Sequence, residues 1–466
     1  MPGAEPYDSD LLTVLDPADG SLVGTLECAA PAEVGAAVEA AAKAALDWAR
    51  TAPAERAACV AEAAARLAAS ADALAVLTTR EMGKPPADAR GGVDAGVATL
   101  RQYAELGPLH RGRSLQGGWD ATDLMVPQPR GVVAAITPWN DPVAVPCGLI
   151  GAALVTGNTV VFKPSERSPH TGVELARAFA EVLPPGVLQV LVGDGRTGAA
   201  LAADPLVDVV AHVGSTLTGR AIAQAAARTG AKAVLENGGN DPMIVDAGVD
   251  PVWAAEQAAL GAFANAGQIC TSIERIYVAE PVAADFLDAL VRRANELATG
   301  SGVEPATELG PLVDERMRRS VHDQVSEAIL DGATLLAGGE VPDGPGTFYP
   351  ATVLTDCTDA MTVMREETFG PVAPVRVVPD FDTALTAAMT GPYGLAAVVL
   401  TADMEHAQRA WRELQVGTVK VNAAFGGAPG GAAQPRRASG SGFGYGPELL
   451  DEMTTTKVVH LGTPRV

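Results

Sequence analysis

The sequence predicts an α/β protein built around a doubly wound parallel sheet. Three observations carry this. Between residues 131 and 237, five short apolar runs alternate with helix-patterned stretches. The same alternation resumes after residue 250. Each apolar run of the first set ends in polar or glycine-rich residues, as expected where the carboxyl ends of parallel strands form a binding edge.

The chain has 466 residues, and at roughly 150 residues per domain this suggests two or three domains. A hydrophobic fraction of 48% with 19% charged residues is enough for large cores. A net charge of −23 lacks the basic footprint that nucleic acid or an anionic membrane would require. Five widely spaced cysteines with no C-x-x-C point away from a disulfide framework or a zinc site, and no metal is expected. The polar, acidic start "MPGAEPYDSD" has no signal-peptide pattern, and no apolar run is long enough to span a membrane. A cytoplasmic protein with reduced thiols is the expectation.

Alanine and charged residues recur at helical spacing over 32–82, which predicts two or three helices broken at Pro53. Another helix covers about 87–106, and residues 108–130, punctuated by glycine and proline, form an extended arm. The sheet strands are then "GVVAAIT", "TVVFKPS", "GVLQVLV", "VDVVAHV" and "KAVLEN", with helices near 143–155, 169–182, 197–203 and 217–229 between them. Further strands are predicted near 274–279, 332–336, 372–378 and 396–400, with a glycine-rich loop over 425–447.

The strand ends carry the candidate chemistry. "GDGRTG" fits the pattern G-x-G-x-x-G, but the acidic partner about 20 residues on is missing, so a glycine-rich turn is the better reading; Gly195 and Gly198 still fall near a cofactor edge. In "TPWNDP" (137–142), Asn140 either aims its amide into a cleft or makes an Asx turn. Lys163 and Glu166 of "FKPSE" either hold a ribose diol or form a surface ion pair, and Ser215 of "HVGST" either meets a phosphate or caps a helix. Glu236 ends "LE" before Asn237 and two glycines. Cys270, in "NAGQICTSIER", lies at a junction between elements rather than in an apolar run, so its thiol is free to be exposed.

The order "PWN", "KPSE", "GST", "LE-x-GGN", "GQIC", "EETFGPV" and a late "VN" before a glycine-rich tail resembles the aldehyde dehydrogenase superfamily over about residues 10–465. The resemblance implies a doubly wound Rossmann-like cofactor domain (1–107 and 130–238), a second α/β catalytic domain (239–438), and a small β oligomerisation arm with the C-terminal tail (108–129 and 439–466). It implies NAD-dependent oxidation of a small aldehyde to the acid, non-acylating in type. Cys270 is then the nucleophile, Asn140 with the Cys270 N–H the oxyanion hole, and Glu236 the base that activates water. It also implies cofactor contacts at Thr137, Trp139, Lys163, Glu166, Gly195, Gly198, Ser215, Asn237, Glu367 and Phe369. Glu166 favours NAD over a 2′-phosphate, while Lys163 leaves NADP possible. A homodimer or homotetramer is implied, with the arm and the strand near 456–461 completing a neighbour's sheet.

The chain departs from the family pattern at four places. Asp141 stands where an aromatic residue usually lines the aldehyde tunnel; it favours a polar or cationic aldehyde, or is an ion-paired residue. Asn237 follows Glu236. His212 and Val213 precede "GST", a core or edge histidine being the simpler reading. Arg436 and Arg437 in the tail either reach an anionic substrate or are a solvated pair. CoA-acylating and non-catalytic relatives are the rival readings; the presence of Glu236 argues for water over CoA, and retention of Cys270, Glu236 and Asn140 together argues against a non-catalytic relative.

Overall fold

The computed structural model describes residues 10–427 and 431–464; the acidic N-terminal stretch before residue 10 and the centre of the glycine-rich loop lie outside them. The alanine-rich region forms three helices, Pro31–Arg50, Pro53–Ala69 and Ala71–Met82. Pro53 opens the second, where its missing N–H costs nothing. Gly83 ends the third in the left-handed conformation (φ 82°). The fourth helix, Pro86–Leu106, packs against the second and against the apolar helix Ala144–Val155.

The first large sheet runs Gly440–Ser441, Lys232–Glu236, Val209–Val213, Val132–Ile136, Thr159–Lys163, Leu188–Val190. All pairs are parallel except the first. Its residues alternate between two cores, as strand geometry requires. Val133, Val160, Phe162, Val209 and Ala211 face Trp48, Leu67, Leu100 and Tyr103. Val132, Ala134, Val161 and Val210 face Val34, Val38, Leu201 and Ile222. Each fully buried large side chain contributes about 1.5–3 kcal/mol. The chain starts mid-sheet at Val132–Ile136 and winds outward in both directions, so the switch point lies between Val132–Ile136 and Val209–Val213. A crevice opens there at the strand carboxyl ends.

The second sheet runs Thr334–Ala337, Thr352–Thr355, Val372–Val378, Ile273–Ala279, Asp241–Val245, Ala396–Leu400, Thr418–Val421, parallel except for its first pair. Only residues 237–240 separate Lys232–Glu236 from Asp241–Val245. The carboxyl edge of the first sheet is thereby joined to the amino edge of the second.

Among the described residues, six strands have no counterpart in the sequence reading: Leu11–Leu15, Leu22–Glu27, Asp241–Val245, Thr352–Thr355, Thr418–Val421 and Gly440–Ser441. Asp241–Val245 is instructive. Its Asp-Pro start reads as a turn, yet the strand is central, and a register shift between Asp241 and Pro242 accommodates the proline.

The arm strand Thr122–Pro129 pairs antiparallel with Thr454–Leu461 over their full lengths within the same chain, and with Arg113–Leu115 on its other side. The tail boundary at 439 differs from the structure. Gly440–Ser441 joins the first sheet, and Leu449, Leu450 and Met453 enter its core, so only the last strand belongs to the arm. That docking is a long-range contact with no local signal in a glycine-rich segment. Among the described residues, no helix is long and apolar enough to cross a membrane.

Candidate active site

The helix Pro251–Phe263, capped by the Asp250 carboxylate, delivers the chain to a tight turn. Asn265, Ala266 and Gly267 all adopt positive φ (49°, 54° and 71°). Asparagine tolerates this backbone, alanine is strained in it, and Gly267 is required, since a Cβ there would stand 2.0 Å from the Gly370 carbonyl oxygen. Gln268 holds the turn: its Nε2 donates to Asn265 O (3.1 Å) and its Oε1 accepts Val313 N–H (2.9 Å). The Asn265 and Asn140 side-chain amides both donate to Gln268 O, at 3.2 and 3.0 Å. Asn140, from the first sheet, is thus tied to the loop carrying Cys270. The Ser272 N–H closes a turn onto Ile269 O, and among the described residues the Cys270 N–H has no carbonyl partner.

Cys270 Sγ lies 3.7 Å from Glu236 Oε1, at the end of strand Lys232–Glu236. Burial pushes the thiol well above its ordinary range, and the Glu236, Asp241, Glu367 and Asp141 carboxylates add to this. Burial also raises Glu236, opposed by its contact with Cys270. A carboxylate so raised is a stronger base for a thiol or water proton. Gly444 from the tail presses on the other side of Glu236; a Cβ there would stand 2.4 Å from Glu236 Oε2.

The crevice at the switch point gathers most of the predicted cofactor residues. Lys163 is buried, donates to Pro164 O (2.8 Å) and pairs with the half-buried Glu166 at 3.7 Å. Burial lowers the Lys163 ammonium, while Glu166 and Asp194 oppose this. Thr137 ends the central strand with its hydroxyl buried and unpartnered among the described residues. Ser215 caps helix Thr216–Thr229, accepting the Thr218 N–H (3.3 Å), and is exposed. Gly195 opens helix Gly195–Ala202, and nothing lies within 4 Å of where its Cβ would be; Gly198 packs over the Lys163 stem. Across the crevice, Glu367 accepts the Gly239 N–H (3.0 Å) and packs closely on Gly238, where a Cβ would fall 2.2 Å from that carboxylate and displace it. Phe369 meets Trp139 edge-on at 5.5 Å, with the Arg167 guanidinium 5.2 Å from the Trp139 ring centroid.

Three predicted residues stand elsewhere. Asn237 is buried and fastens the tail: its N–H donates to Ser439 O (2.8 Å) and its side chain to Ala438 O (3.0 Å). Its Oδ1 lies against helix Thr216–Thr229, 1.9 Å from where a Cβ on Gly219 would be. Arg436 donates to Gln415 Oε1 (3.0 Å), and Arg437 to Met389 O and Gly391 O (3.3 and 3.1 Å), so the arginine pair latches the tail to the second domain. His212 is a core residue, contacting Ile136 O at 3.2 Å and held neutral by burial, which lowers it to about 4. Asp141 sits beside Asn140 in a loose 3.8 Å pair with Lys84.

Sequence reasoning missed Glu274, Gln268 and Gly444. Glu274 carried a signal, a charged residue opening an otherwise apolar strand, Ile273–Ala279. Gly444 had none, since only the folded tail brings it to Glu236.

The model of the aldehyde dehydrogenase family matches residues 5–459. The chain belongs to the aldehyde dehydrogenase family. Among its relatives, a betaine aldehyde dehydrogenase of Cereibacter sphaeroides is 36% identical, covering 97% of this chain and 94% of its own. A succinate-semialdehyde dehydrogenase of Paenarthrobacter nicotinovorans is 35% identical, covering 95% and 99%. The crystal structure of an NAD-dependent aldehyde dehydrogenase from Sinorhizobium meliloti, 33% identical, superposes with a TM-score of 0.95 over 100% of this chain and 94% of that one. This aldehyde dehydrogenase is therefore an oxidoreductase that uses a nicotinamide dinucleotide to oxidise an aldehyde. Its two relatives are named for different aldehydes at nearly equal identity, so similarity alone does not choose the substrate.

Proposed function

We propose that this enzyme oxidises a small neutral or cationic aldehyde to its carboxylic acid through a thioester on Cys270, using NAD. The observation that carries the reading is the meeting of Cys270, Glu236 and the Asn140 amide in one gap between two sheet edges. Glu236 accepts the thiol proton, and the Cys270 sulfur then bonds to the aldehyde carbon. The carbonyl π electrons pass to oxygen, where the second Asn140 amide hydrogen and the free Cys270 N–H receive the charge. Bound NAD supplies the hydride acceptor. Loss of the C–H electron pair leaves a thioester on Cys270. Glu236, having released its proton, draws one from water; the hydroxyl adds to the thioester carbon, and the thiolate departs as the acid forms.

The crevice fits a dinucleotide. Lys163 and Glu166 suit a ribose diol, the Thr216–Thr229 helix start with Ser215 suits the pyrophosphate, and Thr137 offers a buried hydroxyl without a partner. Open space at Gly195 and the Glu367–Gly238 approach complete the cradle, with Phe369 and Trp139 bounding the nicotinamide end. Glu166 would repel a 2′-phosphate, which supports NAD.

Substrate charge follows from what each candidate touches. The Asp141 carboxylate is 35% exposed beside Asn140, with only the loose 3.8 Å pair to Lys84 and no hydrogen bond among the described residues. The arginine pair is occupied elsewhere. The fully exposed Trp119 in the arm supports a homodimer or homotetramer.

The test follows reduced-nucleotide absorbance with neutral, cationic and anionic aldehydes, NAD and NADP, with Cys270→Ala alongside. Activity with NAD that is lost in Cys270→Ala and ranks cationic above anionic aldehydes is expected. Retained activity in that variant, or acyl-CoA formation on adding CoA, refutes the thioester-hydrolysis route.

A further inference from the structure

Glu274 is four residues past Cys270, near the start of the strand Ile273–Ala279, and is only 4% exposed. A carboxylate buried this deeply would ordinarily pair with a cation. Its sequence neighbour Arg275 does not serve, because that guanidinium is taken by the carbonyls of Asn240, Ala388 and Thr390 at 2.9–3.1 Å. Glu274 instead accepts two consecutive backbone N–H groups. Oε2 takes Thr368 N–H at 2.9 Å and Oε1 takes Phe369 N–H at 2.8 Å, with the Asn240 amide reaching Oε2 at 3.4 Å.

The segment so gripped has an uncommon backbone. Phe369 has φ +54°, a conformation an aromatic residue holds only where its surroundings impose it. Glu367 immediately precedes this turn, and its backbone carbonyl is held by Gln324 Nε2 (3.2 Å). The same strand thus carries Cys270 at its entrance and the peg that shapes the Glu367–Phe369 turn.

We propose that Glu274 is a positioning residue: by clamping the Thr368 and Phe369 N–H groups it sets where Glu367 and Phe369 stand relative to the Cys270 thiol. The inference rests on the assignment of Glu367 and Phe369 to the nicotinamide end of the cofactor crevice. A carboxylate suits this task because its two oxygens can accept two adjacent N–H groups at once, which an amide cannot. The role is geometric; Glu274 touches neither thiol nor substrate.

The test compares Glu274→Ala and Glu274→Gln with the unaltered enzyme by calorimetric titration with NAD, by the separate KM values for NAD and aldehyde, and by the iodoacetamide alkylation rate of Cys270 without nucleotide. Glu274→Ala should weaken NAD binding and raise its KM about tenfold or more, with the aldehyde KM and alkylation rate within about threefold. Glu274→Gln, keeping one accepting oxygen, should fall between. Should Glu274→Ala fail to fold, Glu274→Gln carries the comparison. NAD affinity unchanged in both variants, or alkylation and aldehyde KM moving as far as NAD affinity, overturns the proposal. Failure of the unaltered enzyme to bind NAD instead removes the cofactor assignment beneath it.

Discussion

Gly444→Ala isolates the general base. The glycine lies in the tail, outside the positive-φ region, so alanine is permitted by the backbone. Its new methyl group would stand 2.4 Å from Glu236 Oε2, about 1 Å short of ordinary contact. The three nearest atoms to that methyl all belong to Glu236, so the protein should fold, and the clash is relieved by swinging the end of a flexible carboxylate. A shift of that size in a positioned base costs about a hundredfold in the step it serves, near 2.7 kcal/mol. Cys270 and the Asn140 contact to Gln268 O are left in place. The expected result is a steady state slowed about a hundredfold; a pre-steady-state burst of reduced nucleotide assigns the loss to thioester hydrolysis, and no burst assigns it to thiol deprotonation, the other step Glu236 serves. Trapping of the acyl-enzyme by mass spectrometry should show the adduct on Cys270. A steady-state rate within about threefold of the unaltered enzyme and no burst would show that Glu236 is not the base for hydrolysis.

Two further outcomes follow from the charges. Because burial and the surrounding carboxylates raise the Cys270 thiol, its thiolate is scarce below the ordinary value of 9.0 and grows only above it. The iodoacetamide alkylation rate of the nucleotide-free enzyme should therefore still be climbing at pH 9.0, and Glu236→Gln, which removes the largest neighbouring charge, should move the curve to lower pH. Glu166→Gln removes the carboxylate that would face a 2′-phosphate while leaving Lys163 in place; the ratio of kcat/KM for NADP over NAD should rise about tenfold.

Much of the candidate site was legible because its residues fall at strand ends, and strand ends can be read from local pattern. The runs finishing in Thr137, Lys163, Ser215 and Glu236 all form neighbouring parallel strands, so their polar termini share one edge. Asn237 follows Glu236 in sequence, and only the fold shows that its side chain holds Ala438 O. The two arginines were ambiguous because a charge in a glycine-rich tail has no local environment from which its partner can be read.

The sequence by itself determined the alternating α/β pattern, the parallel strands of the first sheet and the choice of Cys270, Glu236 and Asn140 as candidates, since periodicity and short motifs are properties of contiguous residues. Only the tertiary structure decided that 237–240 sets two sheet edges against each other, that the tail lays Gly444 on Glu236, and that Glu274 grips a turn 94 residues away. Those are long-range contacts, fixed when elements distant along the chain pack together, and no local window of residue types encodes them.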